Sequence, residues 1–137
     1  MAFLLPPPPP ALPPDAYEFD IFHDFFNASS HTSTWQNTFD TRTRVVLTHF
    51  DCTAINVTPS QWTCEGQLQS VATPWFHDSQ SEGEGLGITF IWRGQIVVPA
   101  SEHVKITMTA IAGGPGPGAI YAGGYWRPAP FVGLPYE

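Results

Sequence analysis

The chain has 137 residues, 42% hydrophobic and only 12% charged, with a net charge of −7 at neutral pH. That length fits one domain with a real core. Its five Lys and Arg are scattered, which excludes the basic footprint of a nucleic-acid surface, and no run of about 18 apolar residues predicts a transmembrane helix.

Residues 1–14 hold seven prolines, Pro6 to Pro10, Pro13 and Pro14. Proline lacks a backbone donor, so neither helix nor central strand fits, and an extended polyproline II arm is expected. The opening MAFLLPPPPP has no basic n-region, so it is not expected to act as a signal peptide. Phe3, Leu4 and Leu5 at the arm's tip have nothing local to cover them. With Pro6, Pro7 and Pro8 they are the candidate residues for gripping a neighbouring subunit.

Residues 15–26, DAYEFDIFHDFF, alternate and predict a strand with Tyr17, Phe19, Ile21, His23 and Phe25 on one face. Residues 27–34, NASSHTST, read as a polar loop, and 35–40 fit no period. Residues 44–57, RVVLTHFDCTAINV, exceed an ordinary strand and call for a bulge near 52–54. Residues 58–60 turn the chain. A strand pattern resumes over 62–72, interrupted at Glu65-Gly66. Residues 77–87, HDSQSEGEGLG, read as a flexible acidic loop.

The clearest pattern is residues 87–114. Apolar runs 88–92, 95–98 and 103–111 are separated by Arg93-Gly94 and by residues 99–102. Val104, Ile106, Met108 and Ala110 alternate with Lys105, Thr107 and Thr109, the period of a half-buried strand. A β-meander with a hairpin at 99–102 is predicted. Val45, Leu47, Ile88, Phe90, Val97, Val104, Ile106 and Met108 should form the core. AGGPGPG, 112–118, is a surface loop. AIYAGGYW, 119–126, is a last strand in which Gly123-Gly124 marks a bulge or a close backbone approach. Residues 127–137, RPAPFVGLPYE, form a second extended arm, so Trp126 and Phe131 join the candidate partner-binding residues. The fold predicted is an all-β antiparallel sandwich or jelly roll over 15–126, flanked by the arms 1–14 and 127–137.

Charged content is half the usual ~25%. Ser, Thr, Asn and Gln must hydrate part of the surface, and other subunits covering the rest would suit so few charges. No nucleophile elbow or phosphate loop occurs, so a non-enzymatic role without cofactor or metal is expected. His49-Phe50-Asp51 has the spacing to turn two metal ligands to one face, but it also fits the polar face of a strand. Asp78, Glu82 and Glu84 lack the alternating oxygens of a calcium loop. Trp35, Trp62, Trp75, Trp92 and Trp126 could stack on sugars, but aromatics also dominate cores and subunit interfaces, and packing is the reading taken. Cys52 and Cys64 are read as free buried thiols. Their separation suits neighbouring strands joined by a loop, and sequence does not show whether they meet.

One stretch carries a resemblance. Trp92-Arg93-Gly94-Gln95-Ile96-Val97-Val98-Pro99 is followed by a short turn, then residues 104–110, then Tyr121-Ala122-Gly123-Gly124-Tyr125. Residues 90–126, about a quarter of the chain, resemble small β-sandwich virion structural proteins of tailed bacteriophages. Ser101 and Glu102 stand where the turn glycine of that pattern is usual. The resemblance implies hairpins of a sandwich that decorates heads, tails or fibres. Its partners would be other virion proteins and further copies of the chain, with neither nucleic acid nor membrane involved. A carbohydrate-binding sandwich and a metal-dependent jelly-roll enzyme are the rival readings.

Overall fold

A computed structural model describes residues 12–55, 58–113 and 115–128. Phe3, Leu4, Leu5, Pro6, Pro7, Pro8 and Phe131 therefore lie outside the described residues. The strands are β1 (Tyr17–Ala28), β2 (Ser30–Gln36), β3 (Thr43–Ile55), β4 (Ser60–Leu68), β5 (Phe76–Glu82), β6 (Gly87–Val98), β7 (His103–Ala112) and β8 (Gly116–Pro128). They form two four-stranded antiparallel sheets, β1-β8-β3-β6 and β2-β7-β4-β5, packed face to face as an all-β sandwich. No helix occurs among the described residues.

The core lies between the sheets. Leu47, Phe50, Ile88, Phe90 and Ile120 enter it from one side, and Trp62, Val104, Ile106 and Met108 from the other. Seven of the eight residues expected inside are buried. Val97 is not: it is 44% exposed, and Val98 is inside in its place. The phase of β6 runs Ile88, Phe90, Ile96, Val98, so Val97 must face out.

Several expectations about the chain's path are corrected. The predicted meander does not form. β6 pairs with β3, while β7 pairs with β2 and β4, so residues 99–102 cross between sheets instead of closing a hairpin. Alternation reports that a strand has one buried face, not which strand lies beside it. Residues 90–126 accordingly run through β6, β7 and β8 in alternate sheets.

Arg93-Gly94 and Glu65-Gly66 do not break their strands. A Cβ on Gly94 would meet the Trp92 ring at 2.7 Å, and one on Gly66 the Trp75 ring at 2.8 Å. Each glycine makes room for an indole laid over the strand. Residues 27–34 are not a loop either. β1 ends at Ala28, and β2 begins at Ser30 after a single linking residue. The Ser29 carbonyl accepts from the Ala110 amide at 2.7 Å, which holds this crossing. The acidic segment 77–87 is mostly the edge strand β5. The predicted bulge near 52–54 sits instead between Leu47 and His49, and a second lies between Asp20 and Phe22. That second bulge flips the face of β1, so Ile21 and Phe26 are buried while Phe25 is 76% exposed.

The 99–102 crossing is clamped by Asn37, itself 1% exposed. Its Nδ2 donates to the Val98 carbonyl at 2.8 Å and its Oδ1 accepts from the Phe39 amide at 3.0 Å. Its backbone exchanges bonds with Ser101 and Glu102 at 2.8 Å each. Ser101, at φ 70°, occupies the left-handed position where a glycine is usual. Glu102 reaches across to the β4–β5 connection, where its carboxylate accepts from the Ser70 hydroxyl and amide and from the His103 amide. Burial works against that carboxylate, but the hydrogen bonds outweigh it and bring its pKa below the ordinary value.

Candidate interaction face

A sandwich buries its two inner faces, so any surface for a partner is built from what the strands turn outward. The two outer faces differ. On β2-β7-β4-β5 the outward rows are Thr34–Lys105–Gln67, Thr32–Thr107–Glu65–His77 and Ser30–Thr109–Thr63–Ser79. Hydroxyls bond one another across strands, Thr32 to Thr107 at 2.9 Å and Ser30 to Thr109 at 3.4 Å. This face is hydrated mainly by hydroxyl and amide groups, with Lys105 and Glu65 among them.

On β1-β8-β3-β6 the register builds a different surface. Its rows are Glu18–Tyr125–Val46–Val97, Asp20–Gly123–His49–Arg93, His23–Tyr121–Asp51–Ile91 and Phe25–Ala119–Thr53–Thr89. Val46 and Tyr125 face outward yet are only 1% and 6% exposed. Apolar groups stand at both edges, with Phe25 on β1 and Ile91 and Val97 on β6.

The described end of the proline-rich arm lies on this same face. Leu12 lines two hollows there. One, of about 430 Å³, has Glu18, Asp20, Thr48, His49 and Tyr121 in its walls. The other, of about 460 Å³, includes Pro13, Pro14, Val46, Gln95 and Val97. The segment is anchored where it joins β1. The Ala16 amide donates to the Pro13 carbonyl at 3.1 Å, and Arg127 of β8 pairs with Asp15 at 3.2 Å.

The polar groups between the apolar edges are largely engaged with one another. The Tyr121 hydroxyl donates to Asp20 at 2.7 Å. Desolvation, then that bond to an acid, pushes the phenol up to about 12, so it stays a protonated donor. His49 Nδ1 lies 2.8 Å from the Thr48 hydroxyl. Burial, then the nearby Arg93 charge, lowers the His49 pKa and favours the neutral ring. Arg93 Nη1 donates to Asp51 at 2.9 Å and to the Phe50 and Trp92 carbonyls.

His49 and Asp51 do share one face, as their spacing predicts. Asp51, however, is turned to Arg93. Among the described residues no three His, Cys, Asp or Glu side chains group to hold a metal ion. Asp78 and Glu82 lie along β5, and Glu84 follows in the turn after it.

Of the candidate partner-binding residues, only Trp126 is described. It is half-buried, stacked on Tyr17 at 4.5 Å between ring centres and packed against the core. Trp62 is fully buried, and Trp35, Trp75 and Trp92 are half-buried against the core. Sequence reasoning missed Tyr121, Asp20 and Arg93 as neighbours of His49. Only the pairing of β1, β8, β3 and β6 brings them together, and nothing local in the chain signals it. No protein-family model matches this chain, and no curated protein matches it.

Proposed function

We propose that this chain is a non-enzymatic jelly-roll subunit of a bacteriophage virion, a decoration, cement, tail or fibre component that works by packing against further copies and other virion proteins. The observation that carries the reading is the strand order, β1-β8-β3-β6 against β2-β7-β4-β5. We read that order as an eight-stranded jelly roll, an architecture of capsid, lectin and cupin domains. Fold alone does not choose among those, so the choice rests on what the fold displays.

Three features favour packing over chemistry. One outer face is polar and rich in hydroxyls, while the other carries apolar edges and holds Leu12, Pro13 and Pro14 in the walls of its hollows. The central acids and His49 on that face already have partners. The arm's prolines restrict the unbound chain, so ordering it on a neighbour costs less than for an ordinary tail. Sugar stacking would need an indole open to solvent, and all five tryptophans are buried or half-buried.

The test compares the full chain with one lacking residues 1–14. Both are added to particles assembled without the chain, and bound protein is counted by quantitative mass spectrometry after density-gradient purification. The full chain should bind in fixed stoichiometry, and the truncated chain should fold but lose most of that binding. A full chain that stays monomeric and never sediments with particles would end the reading. Glycan-array binding abolished by one Trp→Ala change would replace it with the carbohydrate module.

A further inference from the structure

The described end of the arm shows the direction from which the rest of it arrives. Pro13 and Pro14 stand in the hollow that holds Val46 and Val97. Leu12 is shared with the hollow that has Asp20, His49 and Tyr121 in its walls. From Pro14 to Leu12 the chain thus heads back over the outer face of β1-β8-β3-β6, toward Tyr121. Ala11 and the five prolines Pro6 to Pro10 come next upstream, and then Leu5, Leu4 and Phe3. No residue from 2 to 14 carries a charged side chain. Whatever this stretch meets, it meets through rings, apolar surface and backbone carbonyls.

Beyond Leu12 the face is laid with rings. His49 and Tyr121 lie 5.6 Å apart between ring centres, Tyr121 and His23 5.3 Å, and His23 and Phe25 4.8 Å. They step from β3 across β8 to β1 and end at Phe25, which is exposed at the sheet's edge. Gly123 keeps the floor low: a Cβ there would meet the His49 ring at 2.7 Å, so that ring lies where a side chain would stand. Tyr121 is fixed by its bond to Asp20, and His49 by Thr48. Aromatic rings held in a row are what a polyproline helix docks on, because its φ is already set and its pyrrolidine rings pack on their faces. The lengths agree. Pro6 to Pro10 extend roughly 16 Å at ~3.1 Å per residue, about the length of the three ring-to-ring steps.

We propose that in the isolated chain Pro6 to Pro10 are seated on their own sandwich, along the rings of His49, Tyr121, His23 and Phe25, with Phe3, Leu4 and Leu5 covering Phe25. The occupant is the chain's own arm because Leu12 tethers it there. A short tether presents it to the rings at an effective concentration on the order of mM, which a second copy's arm does not match in dilute solution. The seat belongs to the chain alone and does not depend on any particle. What it adds to the proposed function is a resting state: the arm must leave this seat before it grips a neighbour, whose identical face offers the same one.

The test places a nitroxide on the full chain through Ala2→Cys, next to the apolar tip. Cys52 and Cys64 are fully buried and stay unlabelled while the chain is folded. Amide signals of the dilute, nitrogen-15-labelled chain are then compared with the nitroxide oxidised and reduced. The oxidised label should remove most of the signal of the Phe25, Tyr121 and Ala119 amides and spare Thr63 and Ser79 on the opposite outer face. A mixture of spin-labelled chain without nitrogen-15 and nitrogen-15-labelled chain without the nitroxide should show no loss. Replacing Pro6 to Pro10 by serine should restore the signals, as should Tyr121→Ser, and because the serine arm leaves the sandwich unaltered, a poorly folding Tyr121 variant does not decide the matter. No loss in the singly prepared chain, an equal loss in the mixture, or a loss that survives the serine arm would each overturn the proposal. None of these measurements involves a particle, so they fail or succeed separately from the binding test above.

Discussion

Gly124 is the position where the fold has least room, and replacing it should be costly for an identifiable reason. It sits in β8, paired with Phe19 of β1 and Leu47 of β3. A Cβ there would fall 2.0 Å from the Val46 carbonyl oxygen and 3.0 Å from the Leu47 Cα. Both are backbone atoms, beside the bulge between Leu47 and His49. Relief therefore requires β3 and β8 to part. Overpacking costs ~1–3 kcal/mol where the surroundings can shift. Loosening about two ladder hydrogen bonds adds ~1 kcal/mol each. Gly124→Ala should thus lose about 3–5 kcal/mol, a large share of the ~5–15 kcal/mol that stabilises an ordinary domain. Gly94→Ala is the comparison. Its Cβ would meet only the Trp92 ring, a side chain that can turn, so about 1 kcal/mol is expected. Guanidinium unfolding followed by tryptophan fluorescence measures both. Equal costs for the two variants, or a Gly124→Ala loss below about 1 kcal/mol, would refute the claim that contact with immovable backbone sets the penalty.

Ser101→Gly should stabilise the chain by about 0.5–1 kcal/mol, because Ser101 holds a positive φ that glycine adopts without strain; an unchanged or lower midpoint in the same denaturation would count against a strained turn. Glu102 makes stability pH-dependent. Its folded pKa is depressed, so its contribution is complete above the ordinary carboxyl range and fades as pH falls through the folded value. Glu102→Gln should therefore melt well below the unaltered chain at pH 7, with the gap closing below about pH 4; a gap constant from pH 7 to pH 3 would show that the charge is not what Ser70 and His103 hold.

The sequence was most informative where a strand keeps one phase. Val104, Ile106 and Met108 alternate without interruption, and all three are inside. It misled where a bulge changes phase, as in β1, whose inward face shifts between Asp20 and Phe22. It also misled where glycine implied a break. Gly94 and Gly66 lie in continuous strands because Trp92 and Trp75 fold over them, a contact no local pattern reveals. β2 was hidden for another reason. Its outward Ser30, Thr32 and Thr34 pair with the hydroxyls and amine of β7, so the strand looks polar throughout. The candidate face was half legible. His49 and Asp51 could be placed on one side of a strand from their spacing alone, while Asp20, Tyr121 and Arg93 come from strands distant in sequence. Long-range pairing is set by how the sheets interleave, which alternation within a strand does not encode.

The interleaving also explains why the faces are the place to look for function. Every connection except that between β4 and β5 crosses from one sheet to the other. The crossings are drawn tight at the ends of the sandwich, by the Ser29 carbonyl at one and by Asn37 and Glu102 at another. Connections held there do not run over the sheets, so both outer faces remain broad. A chain with so few charges must still satisfy those faces. On β2-β7-β4-β5, cross-strand hydroxyls do much of this, with Lys105 and Glu65 beside them. On β1-β8-β3-β6, Val46 and Tyr125 are shielded while Phe25, Ile91 and Val97 stand exposed at the edges. An apolar residue standing singly on a surface needs no explanation. Here they flank the face on which the arm's described end rests, and that shared position is the physical ground on which the proposed packing stands.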